Sequence, residues 1–257
     1  TAQTARLPSV VAGTPSSTLT HFRRRLLQMS LMARTAIVTG SGRGIGKATA
    51  LLLAKKGVNI VVCSRTKSEV DSTVDEARKL FHDGVLGVVC DVGVASQVDA
   101  LVKKAVARFG QIDILVNNAG IFYAKKLVDT SEKEWDDTMN SNLKSAFLCS
   151  KAVLPHLTKT GTIINVSSGA GKTGFENLSA YCASKFGMMG LAESLSWEVQ
   201  GSIRVMAICP GEVDTRMQES DPVYYRENRS RMLKPEQVAE KIAEMIFDTR
   251  RYRNGQS

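Results

Sequence analysis

The sequence lacks several features by which whole classes of protein are recognised. No stretch approaches the ~18 consecutive apolar residues of a transmembrane helix, so we expect no stable membrane insertion. The five cysteines are odd in number and have no CxxC spacing, which argues against a disulfide framework and a zinc site. We therefore predict buried thiols in a reducing compartment and no bound metal.

Acidic residues are absent from the first part of the chain. The formal net charge is +9, and no acid precedes Glu69. The lysines and arginines are not interleaved with aromatic residues, so no nucleic-acid partner is predicted. A modest positive balance also suits a cofactor that carries phosphate groups.

Residues 1–32 are rich in Ser, Thr, Ala and Arg, and they show no sustained periodicity. We predict a disordered extension, with a transit peptide as the alternative, and Met29 and Met32 are candidate natural starts. The protein is accordingly predicted to be cytoplasmic, or organellar if this segment is a transit peptide. The stretch HFRRRLLQMSLM suggests a further interpretation, attachment to an anionic surface.

From Arg34 onward, short runs rich in Val and Ile alternate with segments of helical periodicity. The six strand-like runs are TAIVTG, VNIVVCS, VLGVVCD, IDILVNNAG, GTIINVSS and IRVMAICPG. Continuous apolar strands that alternate with helices are typical of a parallel sheet buried on both faces. The sequence thus predicts one α/β domain over residues 33–257, a doubly wound parallel sheet with helices on both faces.

Helix starts are predicted from capping boxes, in which a Ser or Thr is followed three residues later by an acid. The three pairs are Thr66/Glu69, Ser96/Asp99 and Ser131/Glu134. After the last pair, apolar residues recur every four positions and predict one continuous helix that carries Trp135, Met139, Leu143 and Phe147.

A glycine-rich turn, TGSGRGIGK at residues 39–47, lies between the first strand and the first helix. Glycines at 40, 44 and 46 let the backbone turn tightly and approach a pyrophosphate, to which the helix N-terminus offers free N–H groups. A glycine-rich stretch alone is a weak indication. At the first strand-to-helix turn of an alternating chain, however, it predicts a dinucleotide site.

The spacing of this turn, TGxxxGxG, resembles the short-chain dehydrogenase/reductase family, in particular its 3-oxoacyl-[acyl-carrier-protein] reductase-like members. Other marks of the family follow in order: CDV at residues 90–92, NNAG at 117–120, SNLKSAF, NVSSGAG, YxxxK at 181–185 and PG at 210–211. The resemblance covers about residues 35–247. It implies a Rossmann fold and an oxidoreductase that transfers a hydride between a nicotinamide cofactor and a carbonyl/alcohol substrate.

The choice of cofactor follows from charge. Ser64 stands where NAD-specific members carry an acid, Arg65 follows it, and Arg43 precedes Gly44 in the turn. Two guanidiniums suit a 2′-phosphate, and no carboxylate is expected there to repel that phosphate, so we predict NADP(H). By resemblance the cofactor site comprises Gly40, Ser41, Gly42, Arg43, Gly44, Ile45, Gly46, Ser64, Arg65, Asp91, Val92, Asn118, Ala119, Gly120, Tyr181, Lys185, Pro210, Gly211, Val213 and Thr215.

Tyr181 and Lys185 stand four residues apart in a predicted helix, on one face. We predict that the charge of Lys185 lowers the pKa of Tyr181 from its ordinary value near ~10. By resemblance, Lys185 also binds the nicotinamide ribose and Tyr181 donates a proton to the substrate oxygen.

Two further catalytic residues come from the resemblance. Ser168, thirteen residues before Tyr181, corresponds to the family serine that bonds the substrate oxygen, and its neighbour Ser167 is the alternative. Asn142 corresponds to the family asparagine that positions a water in a relay to the lysine, and Asn140 is the alternative. Asn142 is preferred because a leucine follows it, as in the family.

Residues 217–233 are predicted to form the substrate loop. The candidate pocket residues are Phe175, Leu178, Met217, Tyr224 and Tyr225, together with Met232. The substrate is a ketone, an aldehyde or a 3-oxoacyl thioester, since a fold of this kind hosts many substrates.

Two other expectations complete the prediction. The seventh strand usual in the family is short or missing here, and the resemblance implies a homodimer or homotetramer that pairs through the helices holding Asn142 and Tyr181. The alternative function is a non-catalytic NADP(H)-binding sensor or scaffold, against which the complete Ser/Tyr/Lys set argues.

Overall fold

Strand order is the feature that positions the site. The computed structural model describes residues 34–199 and 201–257, and within them six parallel strands form one sheet in the order β3-β2-β1-β4-β5-β6. The predictions for residues 1–32 lie outside the described residues. The strands are β1 Thr35–Thr39, β2 Asn59–Ser64, β3 Val85–Val89, β4 Ile112–Asn117, β5 Leu157–Val166 and β6 Arg204–Ile208.

Helices follow most of the strands. They are α1 Gly44–Lys55, α2 Lys67–Leu80, α3 Ala95–Phe109, α4 Glu132–Thr138, the π-helical segment Met139–Lys144, α5 Ser145–Val153, α6 Ser179–Glu198, α7 Pro222–Asn228 and α8 Pro235–Phe247. In this part of the chain no helix is long and apolar enough to cross a membrane.

The sheet is covered on both faces, which explains why its strands are continuous apolar runs. Ala36 and Val38 of β1 pack into one core with α1, α2 and α8, whereas Ile37 between them packs into the other with α3, α5 and α6. The predicted doubly wound α/β fold is therefore confirmed. The order of the strands reverses between β1 and β4, and such a switch point leaves a crevice at the strands' carboxyl ends.

One of the three predicted capping boxes is present. The Ser131 hydroxyl accepts from the Glu134 N–H, and the Glu134 carboxylate accepts from the Ser131 N–H. The Thr66/Glu69 box is wrong, because the Thr66 side chain makes no cap bond and Glu69 turns to another partner.

The Ser96/Asp99 box is also wrong. The N–H of Val94 donates to the Asp91 carbonyl in a turn just before α3, and α3 then begins at Ala95. Ser96 consequently lies inside the first turn, where its hydroxyl cannot act as an N-cap.

The continuous helix predicted after Ser131 is divided by the π-helical segment. A π-turn adds one residue per hydrogen-bonded ring, so the four-residue apolar repeat no longer stays on one face. Trp135 and Phe147 are 38% and 45% exposed, whereas the polar Asn142 is completely buried. The sequence repeat therefore misidentified the buried face of this region.

The last residues of the chain run beside β6 without forming a strand, and within residues 201–257 no seventh strand appears, as predicted. The Gly255 N–H donates to the Val205 carbonyl, and the Ala207 N–H donates to the Gln256 carbonyl. The buried Arg204 guanidinium fastens this region, since it donates to the Thr162 hydroxyl and to the carbonyls of Met245, Ile246 and Tyr252.

Candidate active site

A cleft of about 420 Å³ runs along the carboxyl ends of the strands, at the switch point. Its volume is within the usual range for ligand sites. The cleft brings together fifteen of the predicted residues: Gly40, Arg43, Gly44, Ile45, Ser64, Arg65, Asp91, Val92, Asn118, Ala119, Gly120, Tyr181, Lys185, Thr215 and Met217.

The glycine turn forms one wall of the cleft. Gly40 and Gly44 have φ of +63° and +55°, a region that favours glycine. A Cβ at Gly46 would lie 2.4 Å from the Gly40 carbonyl oxygen, so only a bare backbone lets α1 approach the turn. The Asn118 amide donates to the Thr39 carbonyl and holds the turn against the end of β4.

The start of α1 fits a phosphate-bearing ligand. Its N-cap residue, Arg43, has extended backbone and makes no side-chain cap bond, and no acid stands in the first turn. The first N–H groups of the helix are therefore available to bind an anion, which the positive end of the helix dipole also favours.

Six predicted cofactor residues lie behind the cleft or beside it. Ser41 is buried, and its hydroxyl donates to the Val38 carbonyl and accepts from the Cys63 N–H, which ties β1 to β2. Gly42 packs against the Glu69 side chain and Gly46 against the Gly40 backbone. Val213 is buried and forms a β-bridge with Leu233. The Pro210 carbonyl accepts from the Gly169 N–H. Gly211, next to Pro210, is exposed and does not line the cleft.

The end of the cleft near β2 carries an acid that sequence reasoning missed. Glu69 lies among the lining residues, and its Oε1 is 2.9 Å from the Arg43 guanidinium. The expectation that no carboxylate stands there is wrong, because α2 folds back over the turn. Arg65 is exposed and has no hydrogen bond or ion pair with the residues that the structure describes.

Tyr181 lines the cleft away from the glycine turn, and Ser168 lies beside it. A hydrogen bond with the Ser168 hydroxyl acts to lower the pKa of Tyr181. Ser167 lines the cleft, whereas Ser168 does not, but the Ser167 hydroxyl is engaged because it donates to the Lys185 carbonyl at 3.1 Å. Of the two alternatives, the geometry therefore favours Ser168 as the partner of Tyr181.

The predicted lowering of the Tyr181 pKa is wrong for this structure. Burial is the larger effect and raises the pKa of the phenol above its ordinary value, because a phenolate there would be desolvated. The Lys185 ammonium donates to the Val166 carbonyl at 3.0 Å, and burial lowers its own pKa to about 8. The Lys185 ammonium is thus hydrogen-bonded to a backbone oxygen, while its Nζ lies 5.5 Å from the centre of the Tyr181 ring.

Asn142 is anchored by its side chain. Its amide donates to the Ile121 carbonyl and to the Ser184 hydroxyl, each at 3.0 Å, and its oxygen accepts from the Ile121 N–H at 2.7 Å. A Cβ placed on Gly120 would lie 3.0 Å from the Asn142 oxygen and 3.8 Å from the Lys185 ammonium. Asn142 is thus next to the lysine, whereas Asn140 has its backbone near Gly93.

Most of the predicted substrate residues do not line the cleft. Met217 lines the cleft, whereas Phe175 is 51% exposed and Leu178 does not line it. The hydroxyls of Tyr224 and Tyr225 donate to the carboxylates of Glu212 and Asp214 and so close the base of the loop.

Met232, which was predicted to line the pocket, is buried instead. Phe122 was missed by the sequence analysis, and its ring packs edge-on against Tyr181 with centroids 5.2 Å apart. It lies two residues after NNAG in the sequence, which was the signal available.

A glycine turn at the switch point, with a tyrosine, a lysine and a serine at the far end of the same cleft, defines a nucleotide-dependent oxidoreductase of the Rossmann type. The chain belongs to the short chain dehydrogenase family, which matches residues 34–223. The predicted family and enzyme class are confirmed.

Named relatives resemble the chain over most of its length. The 3-oxoacyl-[acyl-carrier-protein] reductase of Thermotoga maritima is 38% identical over 237 residues, 89% of this chain and 96% of that protein. A (2S)-[(R)-hydroxy(phenyl)methyl]succinyl-CoA dehydrogenase subunit of Thauera aromatica is 36% identical over 242 residues, 89% and 95% of the two chains. Among solved structures, an actinorhodin polyketide ketoreductase variant with NADPH has a TM-score of 0.82 and 32% identity, covering 87% of this chain and 94% of that one.

Proposed function

We propose that this protein is an NADP(H)-dependent reductase that transfers a hydride between NADP(H) and a carbonyl/alcohol substrate. The observation that carries the proposal is the position of the Tyr181 phenol, which lines a glycine-walled cleft and is hydrogen-bonded to the Ser168 hydroxyl beside it. A proton donor and a second hydroxyl close to it can both hydrogen-bond to a carbonyl oxygen and stabilise the negative charge that develops on it during reduction.

The residues of the cleft would bind the cofactor with its phosphates at the glycine turn and its nicotinamide near Tyr181 and Lys185. The turn from Gly40 to Ile45 and the start of α1 would bind the pyrophosphate, with Arg65 at the 2′-phosphate. Asp91 and Val92 would contact the adenine, and Lys185 the nicotinamide ribose. Thr215, which lines the cleft, would bind the carboxamide, and the buried Val213 lies behind it.

When bound, reduced nicotinamide supplies the hydride that reaches the carbonyl carbon. Tyr181 gives its hydroxyl proton to the carbonyl oxygen, and its raised pKa keeps that proton in place at neutral pH. Ser168 donates to the same oxygen while negative charge develops on it. The phenolate left behind is stabilised by the Lys185 ammonium one turn away, which Asn142 borders.

The substrate class that we favour is a 3-oxoacyl thioester, ahead of a simple ketone or aldehyde. The Thermotoga relative is named for a 3-oxoacyl thioester, and the Thauera relative for a coenzyme A thioester. Arg226 and Arg231, which are exposed in residues 217–233, offer guanidiniums suited to a phosphate-bearing carrier, whereas Arg229 pairs with Asp214.

We also propose a homodimer or homotetramer. Phe147 on α5 and Phe186 on α6 are each 45% exposed, and Trp197 on α6 is 83% exposed. Large apolar side chains exposed on adjacent helices are typical of an interface between copies. A reducing, cytoplasmic location is supported by the five cysteines, all of which carry free thiols.

The test is oxidation of NADPH by the purified chain, followed by absorbance, against a panel of ketones, aldehydes and a 3-oxoacyl thioester. We expect the largest kcat/KM with the thioester. The same panel with NADH measures cofactor preference, and an NADH preference would contradict the cofactor assignment. NADP⁺ binding without turnover of any substrate would instead support a sensor or scaffold.

A further inference from the structure

Glu69 lies where the ribose of a bound dinucleotide is expected. Its Oε1 is 2.9 Å from the Arg43 guanidinium, and its Oε2 accepts from the Ser64 hydroxyl at 3.3 Å. Both partners are predicted ligands of the 2′ position. The carboxylate is therefore already bonded to two of the three groups on which NADP(H) selectivity was predicted to rest.

Packing holds the Glu69 side chain in this position. A Cβ on Gly42 would lie 2.7 Å from the Glu69 Cβ and 3.0 Å from its Oε2, so the acid rests against bare backbone of the turn. The Glu69 side chain is 23% exposed, against 59% for Arg43. Glu69 also lies in the first turn of α2, where the helix dipole favours an anion.

We propose that Glu69 sets the balance between NADP(H) and NAD(H), an inference that rests on the proposed dinucleotide-dependent function. A 2′-phosphate must compete with Glu69 for Arg43 and is repelled by its carboxylate. A free 2′-hydroxyl carries no charge and can donate a hydrogen bond to the same carboxylate. Glu69 therefore weakens NADP(H) binding and supports NAD(H) binding, while Arg65, which has no competing acid, retains the phosphate preference.

The experiment measures dissociation constants of NADP⁺ and NAD⁺ by calorimetry for the wild-type chain and for Glu69→Gln. The amide keeps the size of the side chain and removes its charge. We expect NADP⁺ to bind about 3- to 10-fold more tightly to the variant, since exposed and partly buried ion pairs compete at about this level. NAD⁺ should bind about 2-fold more weakly, because an amide oxygen is a poorer acceptor than a carboxylate.

Glu76→Gln is the matched control. Glu76 is on the same helix and pairs with Lys47 of α1 at 2.8 Å, but it does not line the cleft. Removing its charge should leave both dissociation constants unchanged. A second comparison uses Arg43→Ala with and without Glu69→Gln. In the Arg43→Ala background, Glu69→Gln should tighten NADP⁺ binding much less than in the wild-type chain, because the Arg43 guanidinium that the substitution releases is absent.

Three results would overturn the inference. Weaker NADP⁺ binding to Glu69→Gln would mean that the acid orients Arg43 for the phosphate. An unchanged ratio of the two dissociation constants would mean that Glu69 has no part in selectivity, while the proposed function stands. If the wild-type chain binds neither dinucleotide, the proposed function fails, and the inference fails with it.

Discussion

The Lys185 ammonium lies 5.5 Å from the centre of the Tyr181 ring in the cleft, where Lys185 is buried and Tyr181 is half-buried. Burial disfavours the charged form of each, so it raises the pKa of the phenol and lowers that of the ammonium to about 8. At neutral pH the tyrosine therefore holds its proton while the lysine remains mostly charged. This state is the one required to protonate a carbonyl oxygen.

The first prediction concerns pH. Since kcat/KM reports ionisations of the free enzyme, we expect kcat/KM for NADPH to fall as the pH rises through about 8, where Lys185 loses its charge. Lys185→Arg should be less active, but its guanidinium does not titrate in this range, so its profile should stay level there. A wild-type profile that is level between about pH 7 and 9 would contradict the role of Lys185.

The second prediction is that Tyr181→Phe lowers kcat by about 10²- to 10⁴-fold, because the substitution removes the proton donor and little else. Calorimetry should give an NADP⁺ dissociation constant close to that of the wild-type chain. Near-normal turnover would reject Tyr181 as the acid.

The third prediction separates the two neighbouring serines. Ser168→Ala should lower kcat by about 10²-fold, as expected for the loss of one donor to the developing oxyanion. Ser167→Ala loses the bond to the Lys185 carbonyl, so it should lower the free energy of unfolding by about 1 kcal/mol with a smaller effect on kcat. The reverse pattern in steady-state kinetics would exchange their roles.

The fourth prediction concerns Arg65. Arg65→Asp should lower the ratio of kcat/KM with NADPH to kcat/KM with NADH by at least about 10-fold, because it puts a negative charge where the 2′-phosphate is expected. Measuring both cofactors with one substrate tests this. A variant that keeps its full NADPH selectivity would remove Arg65 from the site.

The fifth prediction concerns stability. Arg204→Met leaves the carbonyls of Met245, Ile246 and Tyr252 without their donor, so we expect a loss of about 3 kcal/mol in the free energy of unfolding. Urea denaturation of Arg204→Lys should show a smaller loss, since lysine keeps one donor group. Equal midpoints for all three chains would show that these bonds contribute nothing.

The local sequence pattern was sufficient to predict the strands and the glycine turn. Each strand is a short Val/Ile run, and the turn after β1 needs glycine at Gly40 and Gly44, where φ is positive, so both could be predicted from neighbouring residues. The doubly wound sheet and the Ser131/Glu134 cap were predicted in this way, and the family was predicted from the resemblance of its motifs; all three are confirmed. The roles of Asn142, Ser168, Tyr181 and Lys185 stay predictions, although the structure brings these residues together.

Tertiary structure alone decided which charged groups meet in the site. Arg43 and Glu69 are 26 residues apart in sequence, and no local repeat indicates that α2 returns the acid to the turn. The pKa of Tyr181 likewise depends on how deeply the folded chain buries its hydroxyl, which the Tyr–Lys spacing does not contain. Sequence determines which groups are neighbours along the chain, whereas the fold decides which groups meet through space and how deeply each is buried.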